Sequence, residues 1–378
     1  MPAVNRVLVV GAGVAGSAAG IFLAQAGVSV DLVDQSARTS THGSGITLQG
    51  NALRVLRQLG VWEQLNSQGF AFTSVGIRAP NPEGTLVGEF DDVLTGGDDL
   101  PATLGIPRPA LAATLLARAS EVGCNIRWSR QFQSMEEGQD GVTVTFADGD
   151  QETYDLVVGA DGVHSRVRAA MGIATGPVPT GMAIWRIFAP RPESIVRTDL
   201  VYGGQSYIAG YCPTSADSLY AYIVEDADPA NFELSTVEKA RKMRELSQAY
   251  HGPWDDLRGF IADDRDVNYT LFESHIVDGR WNRGRAVIIG DAAHSCPPTL
   301  AQGAALGLED AAVLAELLIA ATDVDDDLWR DFELRRLERA KTVVDASVLL
   351  GRWQMDHDPD ANVPALMAKI SNIVRIPA

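Results

Sequence analysis

The chain has 378 residues, with 49 aspartates and glutamates against 31 lysines and arginines, for a formal charge of −18. That length accommodates two domains with substantial cores, and that sign of charge opposes adhesion to nucleic acid or anionic membrane, which attract basic surfaces. A small diffusing substrate is the better expectation. No run reaches the roughly 18 uninterrupted apolar residues of a membrane span. Cys124, Cys212 and Cys296 are widely spaced, without a CxxC or a Cys/His cluster, which argues against a disulfide framework or a zinc site. The expectation is a cytoplasmic protein without metal, membrane or nucleic-acid partner, as monomer or homodimer.

In chain order, the apolar run Val7–Val10 leads into Gly11-Ala-Gly13-Val14-Ala15-Gly16 and then into a small-residue helix pattern from Ser17 to Ala26. This is the strand–turn–helix setting of a dinucleotide fingerprint. Gly11 permits the tight turn, Gly13 lets backbone amides approach a pyrophosphate, Gly16 lets helix and strand pack, and the helix N-terminus favours anionic phosphate. Asp34 ends a second apolar strand, Val28–Val33, at the distance of about 20 residues expected of a ribose-binding carboxylate. The fingerprint alone does not separate NAD from FAD.

From Phe70 to Leu100, short apolar runs are split by Pro80-Asn-Pro82, Gly84 and an acidic turn, a hairpin-like texture. A helix pattern opens at Arg108 and ends near Glu121. The segment Gly159-Ala-Asp161-Gly-Val-His164-Ser follows. Between Gly176 and Arg280, Leu200–Tyr202, Ser206–Tyr211 and Leu219–Ile223 read as antiparallel strands, with a helix near Thr236–Tyr250. Arg285–Ile289 reads as a buried strand delivering Gly290-Asp291 at its carboxyl end, where ligands bind in open α/β sheets. Helical periodicity then marks the stretch up to Leu318, Asp325–Leu350 and Ala361–Ile373.

Taken together, "GAGVAG", "GADGVHSRVR" and "GDAAHSCPP" resemble the signature set of the flavoprotein aromatic hydroxylases, the family of para-hydroxybenzoate hydroxylase, over almost the whole chain. The resemblance implies an α/β fold: a Rossmann-like FAD-binding domain with an interleaved antiparallel-sheet substrate domain and C-terminal helices. It divides the chain into a discontinuous FAD-binding domain (1–70, 101–175, 281–350), a substrate domain (71–100, 176–280) and a C-terminal helical segment (351–378). By the same resemblance, Arg108 contacts the ribityl or phosphate part of the flavin, Asp161 serves the pyrophosphate and the nicotinamide donor, and Asp291, after Gly290, holds the ribityl chain. The amides of Gly303 and Ala304 would stabilise the negative charge that reduction places near N1 and the C2 oxygen of the ring. Where many relatives read Gly-Gln-Gly-Ala-Asn, this chain reads Ala301-Gln302-Gly303-Ala304-Ala305.

The implied activity is hydroxylation of an electron-rich aromatic or heteroaromatic molecule with NADH or NADPH and O2, through a flavin C4a-hydroperoxide, the protein supplying position and dryness. Pro298 matches the proline beside the substrate. A general base is expected among Tyr202, Tyr207 and Tyr211, with Tyr202 favoured and strand-face packing the competing role. Cys212-Pro-Thr214 stands where the para-hydroxybenzoate enzymes carry an arginine for the substrate carboxylate, so Arg186 is the candidate replacement anchor. His42 falls in the loop lining the flavin, as a base or as a turn residue. The alternatives are a flavin-dependent halogenase, epoxidase or reductase of a polycyclic or isoprenoid substrate, and a catalytically idle FAD-binding protein. The halogenase lacks support because Trp185 is followed by Arg186-Ile-Phe rather than Trp-x-Trp-x-Ile-Pro.

Overall fold

The computed structural model describes residues 2–38, 44–264 and 266–378. Its first layer is a sheet whose order runs Asn282–Arg283, Ala286–Ile288, Leu156–Gly159, Arg6–Val10, Ser29–Val33, Asn125–Arg127. All neighbours are parallel except the short edge strand Asn282–Arg283. The central strands are continuous apolar runs, as a sheet covered on both faces requires. Helices Val14–Gln25 and Gly303–Ala320 pack closely together: a Cβ on Gly307 would sit 3.1 Å from the Ala15 methyl, and one on Gly290 2.9 Å from it. Small residues therefore bring the fingerprint, the Gly290 loop and the late helix into one junction.

The second large sheet has eight strands, ordered His294–Ser295, Asn268–Ile276, Val178–Pro190, Ser218–Asp226, Ile208–Pro213, Thr198–Tyr202, Ser74–Arg78, Leu86–Asp91. It is antiparallel except where Thr198–Tyr202 runs parallel to Ser74–Arg78. Successive strand side chains point to opposite faces. On one face Ala183, Trp185, Ile187, Ala221 and Ile223 are buried in a core completed by Met243 and Leu246 of the helix Thr236–Ser247. The other face carries Arg186, Tyr220 and Tyr222 and is only partly covered. A three-stranded sheet of Gly45–Gln49, Thr103–Pro107 and Phe70–Phe72 lies against it, with Gly45 touching Tyr220 and Thr214.

The chain ends in a 30-residue helix, Asp326–Met355, capped by the Asp325 carboxylate, and a second helix, Val363–Arg375, capped by Asn362. The fold is α/β as expected, a Rossmann-like parallel sheet with an interleaved, mostly antiparallel second sheet and C-terminal helices. Its boundaries refine the reading: Ser206 and Tyr207 precede the strand Ile208–Pro213, and Phe70–Phe72 pairs with Thr103–Pro107 rather than joining the Ser74–Asp91 hairpin. Among the described residues no helix is long and apolar enough to cross a membrane.

Candidate active site

Three glycines shape the fingerprint in three different ways. Gly11 has φ +106°, and a Cβ there would collide with the Ala160 carbonyl; one on Gly16 would collide with the Gly11 carbonyl. Gly13 differs, because a Cβ there meets nothing within 4 Å. It precedes the helix Val14–Gln25, whose first amides receive no side-chain cap. An uncapped helix end facing open space is an anion site in waiting. Val14 and Ala15 form its first turn. Asp34 accepts from Ala12 N at 3.0 Å and Ser36 N at 2.8 Å, so its carboxylate braces the loop.

The Asp161 carboxylate is taken up by its own turn, accepting from Ser165 Oγ (2.5 Å), Arg166 N (2.7 Å) and Val167 N (3.1 Å). Asp161 thus holds the backbone beside Gly11 rather than presenting a free acid. Behind it, the buried Arg168 donates to the carbonyls of Ala292 (2.8 Å) and Val163 (2.8 Å) and to His275 Nε2 (3.1 Å). An arginine only donates, so His275 carries its proton on Nδ1 and donates it to Ser295 Oγ at 2.9 Å. Burial and Arg168 push the His275 pKa down to about 4, and the imidazole is neutral.

The late loop is organised by buried ion pairs. Gly290, at φ +57°, donates its amide to Asp310 Oδ2 at 2.8 Å, and His294, 1% exposed, lies 2.7 Å from the same oxygen. Burial alone would raise the Asp310 pKa, but His294 and Arg336 overcome it and hold the carboxyl at about 2. Asp291 is accessible to water, yet desolvation raises its pKa against the pull of His294 and Arg108. Both hold together only for a group on the wall of a deep cleft. Pro298 is exposed on the same loop and Leu300 is buried behind it. Cys296 is partly accessible, with a thiol that burial pushes up to about 12; Cys124 and Cys212 are buried, as a packing role requires. Among the described residues no group of three His, Cys, Asp or Glu side chains could hold a metal.

Opposite this loop stands the open face of the eight-stranded sheet. Arg186 pairs in register with Tyr222, which pairs with Gly210. Gly210 leaves room for the Tyr222 ring, which stacks on Tyr220 with centroids 5.6 Å apart. Tyr220 shares a 2.8 Å hydrogen bond with Thr47. Arg186 donates to Thr270 Oγ1 at 2.8 Å, and among the described residues no carboxylate lies within ion-pair distance of it. Burial, with Arg108 nearby, pushes its pKa down to about 10, which leaves it a cation at neutral pH. Tyr202 is 38% exposed although burial raises its pKa, again the mark of a concave wall. The hydroxyls of Tyr202 and Tyr222 make no hydrogen bond among the described residues. A cavity of about 220 Å³ extends from Tyr202 to Trp353, Gln354 and Val363.

Of the three tyrosines the sequence singled out, Tyr202 lines the cleft. Tyr207 is bonded to Asp226 at 2.5 Å, and Tyr211 to Asp199 at 2.7 Å on the opposite face. Tyr220 and Tyr222 were missed, although the alternation Leu219-Tyr-Ala-Tyr-Ile223 already places both on one face. Arg108 lies at the start of its helix, donating Nε to the Gly45 carbonyl at 3.3 Å, between Asp291 and Arg186. His42 lies outside the described residues. A larger cavity, of about 630 Å³, sits behind Pro297, lined by Met182, His275, Val344, Val348 and Met355.

The family model for the FAD binding domain named FAD_binding_3 matches residues 5–347. YetM of Bacillus subtilis (strain 168), whose name assigns it provisionally as an FAD-dependent monooxygenase, is 31% identical over 94% of this chain and 96% of its own. A 6-hydroxynicotinate 3-monooxygenase of Bordetella bronchiseptica is 28% identical, over 89% of each chain. The tetrameric form of 2-methyl-3-hydroxypyridine-5-carboxylic acid oxygenase superposes with a TM-score of 0.80 at 25% identity, over 99% of this chain and 98% of that one. Matched by the family model over residues 5–347 and by a relative 31% identical over 94% of its length, the chain belongs to this FAD-binding family and is an FAD-dependent monooxygenase of the aromatic hydroxylase type.

Proposed function

We propose that the enzyme binds an anionic, electron-rich aromatic or heteroaromatic molecule against Arg186 and hydroxylates it with O2 and electrons from NADH or NADPH. The observation that carries this reading is the cleft's donor set. Arg186, Tyr202 and Tyr222 face one space without a protein acceptor for the cation's charge or for either hydroxyl, and no acid among the described residues neutralises them. Buried unpaired charge is costly. A ligand oxyanion, either a carboxylate or an ionised ring hydroxyl, satisfies the guanidinium. The raised pKa values of both tyrosines make them neutral donors to the same ligand. The two hydroxypyridine-carboxylate enzymes among the relatives act on molecules of this description.

The residues fit FAD. Gly13 leaves open the volume that pyrophosphate needs, at an uncapped helix end, with Asp34 bracing the loop on the ribose side. Arg108 and Asp291 line the cleft between fingerprint and substrate face, and the helix starting at Gly303 is a second uncapped end. FAD held there would supply the redox chemistry, accepting a hydride from the nicotinamide donor and activating O2. The chain's own work is positional. Arg186 and Tyr222 hold the ring's oxygen and lower the cost of its ionisation, the stacked Tyr220 walls one side, and Pro298 closes the loop side against water.

The test is a screen of hydroxypyridine carboxylates, hydroxybenzoates, phenols and quinolones for stimulation of NADH and NADPH oxidation, followed by mass analysis of products made under 18O2. Stimulation by an anionic ring with one labelled oxygen incorporated is expected. If none of the four classes stimulates oxidation, the reading fails.

A further inference from the structure

Gln302 immediately precedes the helix Gly303–Ala320, the position whose side chain ordinarily caps a helical amide. It does not do so here. The Gln302 side chain is fully buried and turned away: its Nε2 donates to the Gln49 side-chain oxygen and to Asn51 Oδ1 (3.3 Å), and its Oε1 accepts from Asn51 Nδ2 at 3.0 Å. Asn51 in turn donates to Glu309 Oε1 at 3.2 Å. Glu309, 1% exposed, is gripped by Arg336 (3.0 Å) and by Arg339 through two bonds (2.8 and 2.7 Å). Arg336 bridges to Asp310 at 2.7 Å, and Asp310 holds Gly290 and His294. Arg339 and Arg54 also hold the last carbonyls of the C-terminal helix, at Ile373, Val374 and Arg375.

A buried polar chain so extended is expensive unless every member is satisfied. It runs from the C-terminal helix to both loops that face the cofactor. Its local consequence is specific, because it removes the natural cap and leaves the first amides of the Gly303 helix without a side-chain cap among the described residues. We infer that Asn51 and Glu309 are positioning residues for the flavin. Through Gln302 they keep the helix end uncapped and aimed at the ring, where its positive end favours the charge gained on reduction. Loss of the tether lets the Gln302 side chain swing back, cap the helix and compete for those amides. This rests on the reading that places the ring beside Gly303.

The experiment measures, on the holoenzyme, the ratio of reduced to oxidised FAD at a fixed potential against a reference dye, together with the melting temperature. Asn51→Ala is expected to keep FAD and lower that ratio about tenfold. Gln302→Ser, which supplies a cap of its own, is expected to lower it in the same direction even if Asn51→Ala fails to retain cofactor. An unchanged ratio in either FAD-loaded variant, whatever its melting temperature, overturns the inference. Ala304→Asp separates the two layers of the argument by placing a carboxylate at the helix start. If it lowers the ratio while the other variants do not, the ring is where we place it and the tether is irrelevant; if it too leaves the ratio unchanged, the placement itself is wrong.

Discussion

The cofactor cradle and the substrate-facing sheet solve opposite problems. In the proposed cradle, recognition falls to backbone: glycines make room, helix ends offer amides, and the carboxylates of Asp34 and Asp161 are spent on bracing the loops. On the sheet, the central strands pair in their ladders, and on the proposed reading recognition falls to side chains that have no partner for their charge or hydroxyl among the described residues. A ligand common to a whole family is met by main-chain geometry, and a ligand peculiar to one member by a few exchangeable side chains on a rigid sheet.

The largest effect that would break this comparison is in the cradle. Gly13→Val should give a folded protein that fails to bind FAD, with affinity reduced at least ~10³-fold, because a Cβ there meets no atom of the described residues within 4 Å and the branch above it enters the volume assigned to phosphate. Gly16→Val should instead fail to fold, since its Cβ collides with the Gly11 carbonyl. Absorbance of the purified proteins with added FAD, and circular dichroism, distinguish the two. Retained FAD in Gly13→Val would remove the phosphates from this loop.

On the sheet, Arg186→Met should weaken binding of an anionic aromatic ligand by about 2–4 kcal/mol, roughly 30- to 1000-fold, leaving FAD affinity unchanged. Removing a buried cation that lacks an ion-pair partner should leave stability unchanged or higher. Titration of the flavin spectrum with ligand and a melting curve read both quantities. A large drop in melting temperature with unaltered ligand affinity would make Arg186 a structural residue and erase the contrast.

Between the two regions, His275 gives a pH signature. Its folded pKa of about 4 lies below the ordinary 6.5, so between those values the unfolded chain binds a proton that the native one does not. Stability therefore falls as pH drops from about 6.5 to about 4, by on the order of 2–3 kcal/mol, with no further loss from this group below that. Asp310, held at about 2, adds a second loss only as pH falls below about 4. Denaturant titrations across this range should show the first phase in wild type and a flattened one in His275→Gln. Equal slopes in both would assign the acid sensitivity elsewhere.

What could be read from sequence follows the same division. The proposed cradle is legible because Gly11, Gly13 and Gly16 fall within one six-residue stretch between a strand and a helix. The alternation of Leu219–Ile223 fixes which of its side chains share a face, whereas Arg186 is singled out only as a replacement for the arginine missing at Cys212–Thr214. Which face looks across the cleft is decided by strands far apart in the chain, as where Ser74–Arg78 joins Thr198–Tyr202, roughly 120 positions on. The tether is less legible still, since Gln302 and Asn51 are 251 positions apart and Asn51 belongs to no motif. Asp161 is recognisable by its neighbours, but that its carboxylate turns into its own loop is a matter of three hydrogen bonds that only the folded chain makes.

The smallest expected effect is at the seam. Ala301 stands where many relatives carry glycine, and its φ of +52° is in the left-handed region, where a Cβ costs about 1–2 kcal/mol. Glycine would relieve that strain but adds about 0.4–1 kcal/mol of unfolded-chain entropy to be overcome. The net expectation for Ala301→Gly is a gain of about 0.5–1 kcal/mol, a rise of roughly 1–2 °C in melting temperature for a protein of this size. The residue lies between Leu300, whose carbonyl accepts from Gln49 at 3.2 Å, and Gln302, held by Asn51, so the loop is pinned on both sides of the strained position. If the tether holds the loop, relief of strain should raise stability without changing the ratio of reduced to oxidised FAD at fixed potential. If the strain itself aims the helix end, Ala301→Gly should shift that ratio while barely moving the melting curve.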